Sequence, residues 1–190
     1  MLPQRASQVR HKLPFVLEDA ENGLTATARE WLSALAEELK ALDQRIAATD
    51  QQSERAFEAD EACQRLAQLP GIGPLIATAL VAAVGDATAF KNGRQFAAWL
   101  GLVPRQHSTG GKTTLRGMTK RGNRYLRTLL IHGARAVLRV VDRKTDPRSR
   151  WLQAVKARRG KPCAGVAQAN KTARIAWALL AKGDHYHHAT

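Results

Sequence analysis

Residues 25–68 constrain the fold more than any other part of the sequence, because this stretch contains neither glycine nor proline. Its length favours one long helix, or two helices separated by a break near Thr49 and Asp50. Such a helix would carry an apolar stripe that either pairs with a second helix in a coiled coil or packs on the chain's own body, and both interpretations stay open. The stripe consists of residues at spacings of three and four: Leu32, Leu35, Leu39, Leu42 and Ile46.

The remaining sequence predicts a mainly α fold, in which the long coiled-coil-like helix precedes a helical domain with a helix-hairpin-helix. Trp99 is expected in the core, and Asn123 is expected to cap a helix. Four regions are expected: a loose N-terminal segment with a short helix (1–24), the long helical segment (25–68), a second domain (69–183) and a tail (184–190). Helices in the second domain are predicted at 94–100, 123–141, 151–159 and 163–182, and short extended pieces at 101–105 and 113–116 are expected to pair across a turn at 108–111.

The charge of the chain is concentrated in its second half. The net charge is +14, yet residues 1–100 carry 10 Lys and Arg against 13 Asp and Glu. Residues 101–190 carry 20 Lys and Arg against only Asp142, Asp146 and Asp184. Such one-sided charge is typical of a protein that binds a polyanion, and it predicts nucleic acid as the partner. An anionic membrane surface is less favoured, because no segment combines a basic face with a large aromatic one.

Several other classes of protein are excluded by the sequence. No run approaches the roughly 20 apolar residues of a membrane span, and the N-terminal residues have no apolar signal core, so no membrane association is expected. The two cysteines, Cys63 and Cys163, lie far apart without CxxC spacing. This argues against a zinc site or a disulfide framework and favours a reducing cytoplasm.

The segment Leu69-Pro70-Gly71-Ile72-Gly73 predicts a tight turn between two helices. A proline follows directly at position 74, which suits the first turn of the second helix. In a helix-hairpin-helix, backbone N–H groups of the hairpin and of the following helix hold a DNA phosphate. The alternative is a helical corner that is packed by small residues and binds no ligand.

Residues 102–112 form a loop with two adjacent hydroxyls, Ser108 and Thr109, among cations. The end of this loop is similar to a phosphate-binding P-loop, but Gln106 stands where that motif requires glycine. A two-metal nuclease needs clustered carboxylates, which residues 87–190 lack. A hydroxyl could attack a phosphodiester if neighbouring cations neutralised the developing charge and His107 served as acid or base. A loop that only binds phosphate is the alternative.

Four motifs in this order resemble the C-terminal half of IS110/IS1111-family transposases: residues 69–73, 95–106, 107–112 and 119–127. The resemblance covers roughly residues 30–182. Members of this family mobilise DNA by site-specific recombination, and some use a structured guide RNA. They contain an N-terminal RuvC-like domain with a metal-binding acidic tetrad, then a coiled coil, then a transposase domain with a nucleophilic serine.

The resemblance implies that Ser108 is the catalytic nucleophile, with Thr109 as the alternative, in a DNA-binding transposase domain at 69–183. It implies homodimers or higher oligomers through residues 25–68, DNA and a guide RNA as partners, and a place in the bacterial cytoplasm at the nucleoid. No metal or cofactor is expected in this chain, and Mg²⁺ is expected in an RuvC-like domain that the chain lacks. The function is then either the serine-bearing part of a transposase that needs that domain, or an inactive nucleic-acid-binding and dimerisation remnant. The residues expected to bind nucleic acid are Gly71, Ile72, Gly73, Arg105, Lys112, Arg116, Lys120, Arg121, Arg124 and Arg127.

Overall fold

A computed structural model describes residues 6–110 and 112–186. These residues form a mainly α structure, as predicted, with one small antiparallel sheet. The chain divides into two compact units, 1–52 and 53–190. None of the described helices is long and apolar enough to cross a membrane. The elements are α1 (Ala6–Glu18), α2 (Ala26–Ala59), α3 (Glu61–Ala67), α4 (Pro74–Val84), α5 (Gly93–Trp99), β1 (Pro104–Thr109), β2 (Lys112–Met118), α6 (Arg124–Val140) and α7 (Pro147–Lys182), with short 3-10 turns at Ala87–Ala89 and Val141–Arg143.

The first unit contains α1 and most of α2. The guanidinium of Arg10 in α1 pairs with Asp43 in α2 at 3.0 Å. Arg29 donates to the carbonyl oxygens at the end of α1, including that of Asp19 at 3.0 Å. No residue of α2 is buried, so its apolar side chains remain on the surface, with Trp31 69% and Ile46 56% exposed. Of the predicted stripe, Leu32 and Leu39 are half-buried, whereas the other three residues, Leu35, Leu42 and Ile46, are exposed.

The long helix runs through Thr49 and Asp50 without a break and ends at Ala59. The break falls instead at Asp60, whose carboxylate caps α3 by accepting from the N–H of Ala62 at 2.7 Å.

The second compact unit begins at Ser53, before the predicted boundary at 69. The reason is that Cys63 and Leu66 belong to its core and Phe57 packs against it.

The core of the second unit lies between α3, α4, α5, α6 and α7. Trp99 packs on this core as predicted, and its ring centroid lies 5.3 Å from that of Phe90. The buried residues of α7 include four alanines, Ala164, Ala169, Ala173 and Ala176, whose small side chains let neighbouring helices approach closely. The largest fully buried side chains of the whole core include Phe96, Leu66, Leu80, Leu126 and Leu130.

Two predicted helix boundaries are confirmed. Asn123 caps α6 through a hydrogen bond from the N–H of Leu126 at 3.1 Å. The last two predicted helices form α7, which has a kink at Gly160, where φ is +79° and ψ is 166°. Pro162 follows the kink, so proline and glycine separate the two halves where the sequence indicated.

The hairpin differs from the prediction. The extended pieces expected at 101–105 and 113–116 are in fact strands of six and seven residues, β1 and β2. They pair from Pro104 opposite Met118 to Thr109 opposite Lys112. Ser108 and Thr109 were expected in the turn, but both lie in β1, because the chain reverses only after Thr109, at Gly110 with φ +57°.

Candidate nucleic-acid interface

The β1–β2 hairpin presents a basic surface. All six residues of β1 are exposed, and Arg105, Lys112 and Arg116 are exposed cations. The salt bridges of the described residues all lie elsewhere in the chain. The hairpin therefore offers positive charge that no carboxylate in the described part of the chain neutralises, as an anion-binding surface requires.

The strand geometry separates the side chains that the sequence placed together. Side chains alternate between the faces of a strand, so Ser108 shares a face with Gln106, and His107 lies on the other face with Thr109. The amide of Gln106 donates to Ser108 Oγ at 3.0 Å, which orients the hydroxyl. His107 was considered as acid or base for the loop, but the strand does not direct its side chain at Ser108. Lys112 stands opposite Thr109 in the register.

A second basic loop, residues 119–122, is anchored beside the hairpin. The N–H of Thr119 donates to the carbonyl of Val103 at 2.9 Å, and its hydroxyl donates to the carbonyl of Gly101 at 3.2 Å. Lys120 has a φ of +57°, an unusual conformation for a residue with a side chain. Lys120 and Arg121 are exposed here, so the anchoring displays two of the predicted cations.

α6 begins directly after this loop and carries two of the predicted arginines to different places. Arg124 is exposed at its first turn. Arg127 is only 7% exposed, and its Nη1 donates to the carbonyl of Leu100 at 3.2 Å. Arg127 was predicted to bind nucleic acid, but in the structure it ties α6 to the end of α5, because its position faces the core.

The exposed face of α6 extends the basic surface beyond the residues that the sequence singled out. His132, Arg135 and Arg139 are exposed and follow Arg124 and Thr128 at spacings of three and four residues. Such spacing places all five on one helical face. The sequence indicates a basic face opposite the apolar stripe of this helix, and the structure differs only in that Arg127 is buried.

The turn predicted at residues 69–73 lies between α3 and α4. Gly71 has φ +90°, and a Cβ there would lie 2.7 Å from the carbonyl oxygen of Gly133 in α6. Ile72 is buried and donates its N–H to the carbonyl of Leu69 at 3.0 Å. Gly71 and Ile72 thus take part in packing, while Gly73, the N-cap of α4, has open space beside it. Phosphate contact at this turn would come from Gly73 and the first turn of α4.

An arginine of α7 supports the same turn. Nη2 of Arg148 donates to the carbonyl of Pro70 and to the hydroxyl of Thr172, both at 3.3 Å. Its Nε and Nη1 are buried without a hydrogen-bond partner among the described residues. Arg148 therefore adds a positive charge beneath the turn.

A groove of about 1130 Å³ lies between the start of α5, the base of the hairpin and α7. Four cations line it: Arg94, Arg116, Lys171 and Arg174. The Nζ atom of Lys171 lies 4.3 Å from the ring centroid of Trp151. Burial, together with the charges of Arg148 and Arg174, lowers the pKa of Lys171. Sequence reasoning missed three of these cations, since only the fold brings α5, β2 and α7 together.

Two carboxylates of the basic half, those of Asp142 and Asp146, have structural roles. Asp142 pairs with Lys156, and Asp146 caps α7 by accepting from the N–H of Ser149 at 3.0 Å. Hydrogen bonds from Ser149 lower the pKa of Asp146. Within residues 6–110 and 112–186 no group of three or more His, Cys, Asp or Glu side chains could hold a metal ion. These residues do not fit the Mg²⁺ that the resemblance implies for an RuvC-like domain, and no chemical step through a metal is assigned to them.

Comparison with known proteins gives the same family at the sequence level. Residues 63–150 match the family described as Transposase IS116/IS110/IS902. The chain is 54% identical over 163 residues to a "Probable family 20 transposase" of Pseudomonas aeruginosa, covering 86% of this chain and 48% of that protein. It is 46% identical over 181 residues to the "Transposase for insertion sequence element IS1111A" of Coxiella burnetii, covering 95% of this chain and 50% of that protein. The chain spans about half the length of the curated relatives it matches.

Proposed function

This chain belongs to the Transposase IS116/IS110/IS902 family, and we propose that it is the serine-bearing, DNA-binding part of a transposase that performs site-specific recombination in the bacterial cytoplasm. The observation that carries this proposal is the exposed hairpin, which holds Ser108 near its tip among cations without carboxylate partners. The same surface suits a structured guide RNA, since RNA presents backbone phosphates as DNA does.

In this proposal the hydroxyl oxygen of Ser108 attacks a phosphorus atom of the DNA backbone. The serine hydroxyl gives its proton to solvent, a phosphoserine ester bond forms, the P–O bond to one sugar breaks, and the departing sugar oxygen takes up a proton from solvent. Cations that reach the Ser108 face from residues 119–122 would stabilise the charge that develops on the phosphoryl oxygens. Lys112 shares the face of Thr109 and would serve that alternative nucleophile. The hydrogen bond from Gln106 keeps the hydroxyl on one face of the strand. Thr109, which shares its face with His107 and Lys112, is the alternative nucleophile.

The proposed enzyme works together with an RuvC-like domain, as the resemblance implies. A recombination assay on supercoiled plasmids, with this chain alone and with an RuvC-like domain of a relative added, tests the requirement. Recombination only in the complemented reaction supports the serine-bearing role. DNA binding without recombination in the complemented reaction would favour the second candidate, an inactive binding and dimerisation remnant.

Salt dependence tests the nucleic-acid interface. If about six phosphates are contacted, the logarithm of the association constant falls with the logarithm of salt concentration with a slope of about −5. Fluorescence anisotropy of a labelled duplex across a salt titration measures this slope. A slope near zero contradicts the interface, because binding would then release no counterions.

Dimerisation through α2 gives a separate prediction. Leu35 and Ile46 are exposed on the apolar stripe, and we propose that a second copy of α2 covers them in a coiled coil. The double substitution of Leu35→Asp and Ile46→Asp should weaken the dimer by at least about 100-fold, because each buried side chain contributes roughly 1.5–3 kcal/mol.

Sedimentation equilibrium measures the effect on the dimer. The matched control replaces Ser33 and Gln44, two exposed residues off the stripe, by aspartate and adds the same charge. The control should dimerise like the unsubstituted chain. A monomeric unsubstituted chain, or an equal loss in both variants, would contradict a coiled coil along this stripe.

A further inference from the structure

The groove beside the hairpin combines an apolar interior with a cationic rim. Ile175 and Trp177 of α7 contribute to its apolar lining. The rim cations come from three elements, with Arg94 at the start of α5, Arg116 on β2 and Arg174 on α7. Among residues 6–110 and 112–186, no aspartate or glutamate lines the groove. A ligand that matches this groove therefore has one apolar part, flat or narrow in shape, and one anionic part.

Lys171 and Trp151 give the groove a further recognition feature. The ammonium group already lies over the indole ring, in a partly buried place where two arginines add positive charge. An anion at this position would relieve the repulsion among the three cations. Asn170 fixes the adjoining wall, because its side-chain amide donates to the carbonyl of Leu102 at 3.2 Å.

We propose that this groove receives a single unpaired nucleobase extruded from the DNA strand on the hairpin, with the flanking phosphates held by the rim cations. A nucleotide has the required chemistry, since the two faces of its base are flat and apolar and its phosphate is anionic. The inference rests on the proposed function in one respect, that the hairpin binds DNA. Arg116 belongs both to the hairpin and to the groove, so the two surfaces are continuous.

The test uses the full chain and a short mixed-sequence duplex, either fully paired or with one central mismatch. A mismatch lowers the cost of extruding a base, so the mismatched duplex should bind about tenfold more tightly. Ala167 is half-buried in the groove lining. Ala167→Phe fills the groove and so blocks the entry of a base. This variant should bind the two duplexes with about equal affinity, and its affinity for the paired duplex should be unchanged.

The matched control is Ala154→Phe, an exposed position on the same helix that does not line the groove, and it should keep the preference. A second measurement needs no substitution. Cys163 lines the groove and is exposed, whereas Cys63 is buried, so alkylation of the folded chain reports on Cys163. The mismatched duplex should slow this alkylation more than the paired duplex does, even if Ala167→Phe fails to fold.

Three results would overturn the inference. Equal affinity for both duplexes, with a normal salt slope, removes the base site but leaves the DNA-binding proposal intact. Absence of any duplex binding removes the DNA-binding proposal itself. Protection of Cys163 by a peptide of Ala26–Ala59 in the absence of DNA would assign the groove to an acidic, amphipathic protein helix instead.

Discussion

Replacing Ser108 by alanine is expected to abolish strand exchange by the complemented transposase, with a loss of at least about a thousandfold. Without the hydroxyl no covalent phosphoserine can form, and the basic residues around it cannot replace the missing nucleophile. Recombination of supercoiled plasmids measures the loss. A denaturing gel should show a covalent protein–DNA product for the unsubstituted chain and none for Ser108→Ala.

The matched control is Thr109→Ala, at the next position of the same exposed strand. We expect it to recombine within about tenfold of the unsubstituted chain, in line with a binding or positioning contribution. Both variants should bind duplex DNA like the unsubstituted chain, because neither change removes a charge. If Thr109→Ala loses the covalent product and Ser108→Ala keeps it, the nucleophile is Thr109. If both retain full recombination, no hydroxyl of this strand is the nucleophile.

Gly122→Ala should destabilise the second unit by about 4 kcal/mol, or prevent its folding. The backbone of Gly122 has φ +101°, and a Cβ there would lie 1.8 Å from the carbonyl oxygen of Trp99. Left-handed strain and a collision with the backbone therefore act together. Gly101 contacts the loop from the other side, since a Cβ at this position would lie 1.9 Å from the carbonyl oxygen of Arg121. The two glycines hold the basic loop 119–122 against the end of α5.

Urea unfolding followed by circular dichroism gives the change in the free energy of unfolding. Gly117→Ala on β2 is the control, because its Cβ would meet nothing within 4 Å and the position has no left-handed φ. We expect a change within about 0.5 kcal/mol for the control. An unchanged unfolding midpoint for Gly122→Ala would mean that loop 119–122 does not lie on residues 99–101.

The helices predicted from spacing are present, although α7 begins at Pro147 and not at 151, whereas the strands predicted for the hairpin are too short. Strands are recognised by alternation between apolar and polar residues, which arises when one face is buried. Every residue of β1 is exposed, so selection for a buried face has left no such alternation. The hairpin is formed by backbone pairing, which the side-chain pattern does not record.

The site was predictable in its chemistry but not in its geometry. The run of cations around Ser108 indicated an anion, and the ordered motifs gave the family. The pairing of His107 with Ser108 could not be judged from adjacency, because adjacent residues lie together in a turn but on opposite faces in a strand. Arg127 likewise matched the basic pattern of α6, and only the packing of α6 on α5 turned it inward.

The sequence by itself determined the long helix, the caps and kink of the later helices, the strongly basic second half and the family. Each of these depends on neighbouring residues or on composition. The tertiary structure decided that Gly71 packs on Gly133, that Arg127 is buried, and that Arg94, Arg116 and Arg174 meet around one groove. The physical reason is that burial and convergence depend on contacts between elements distant in the chain, while helical periodicity is a property of each element alone.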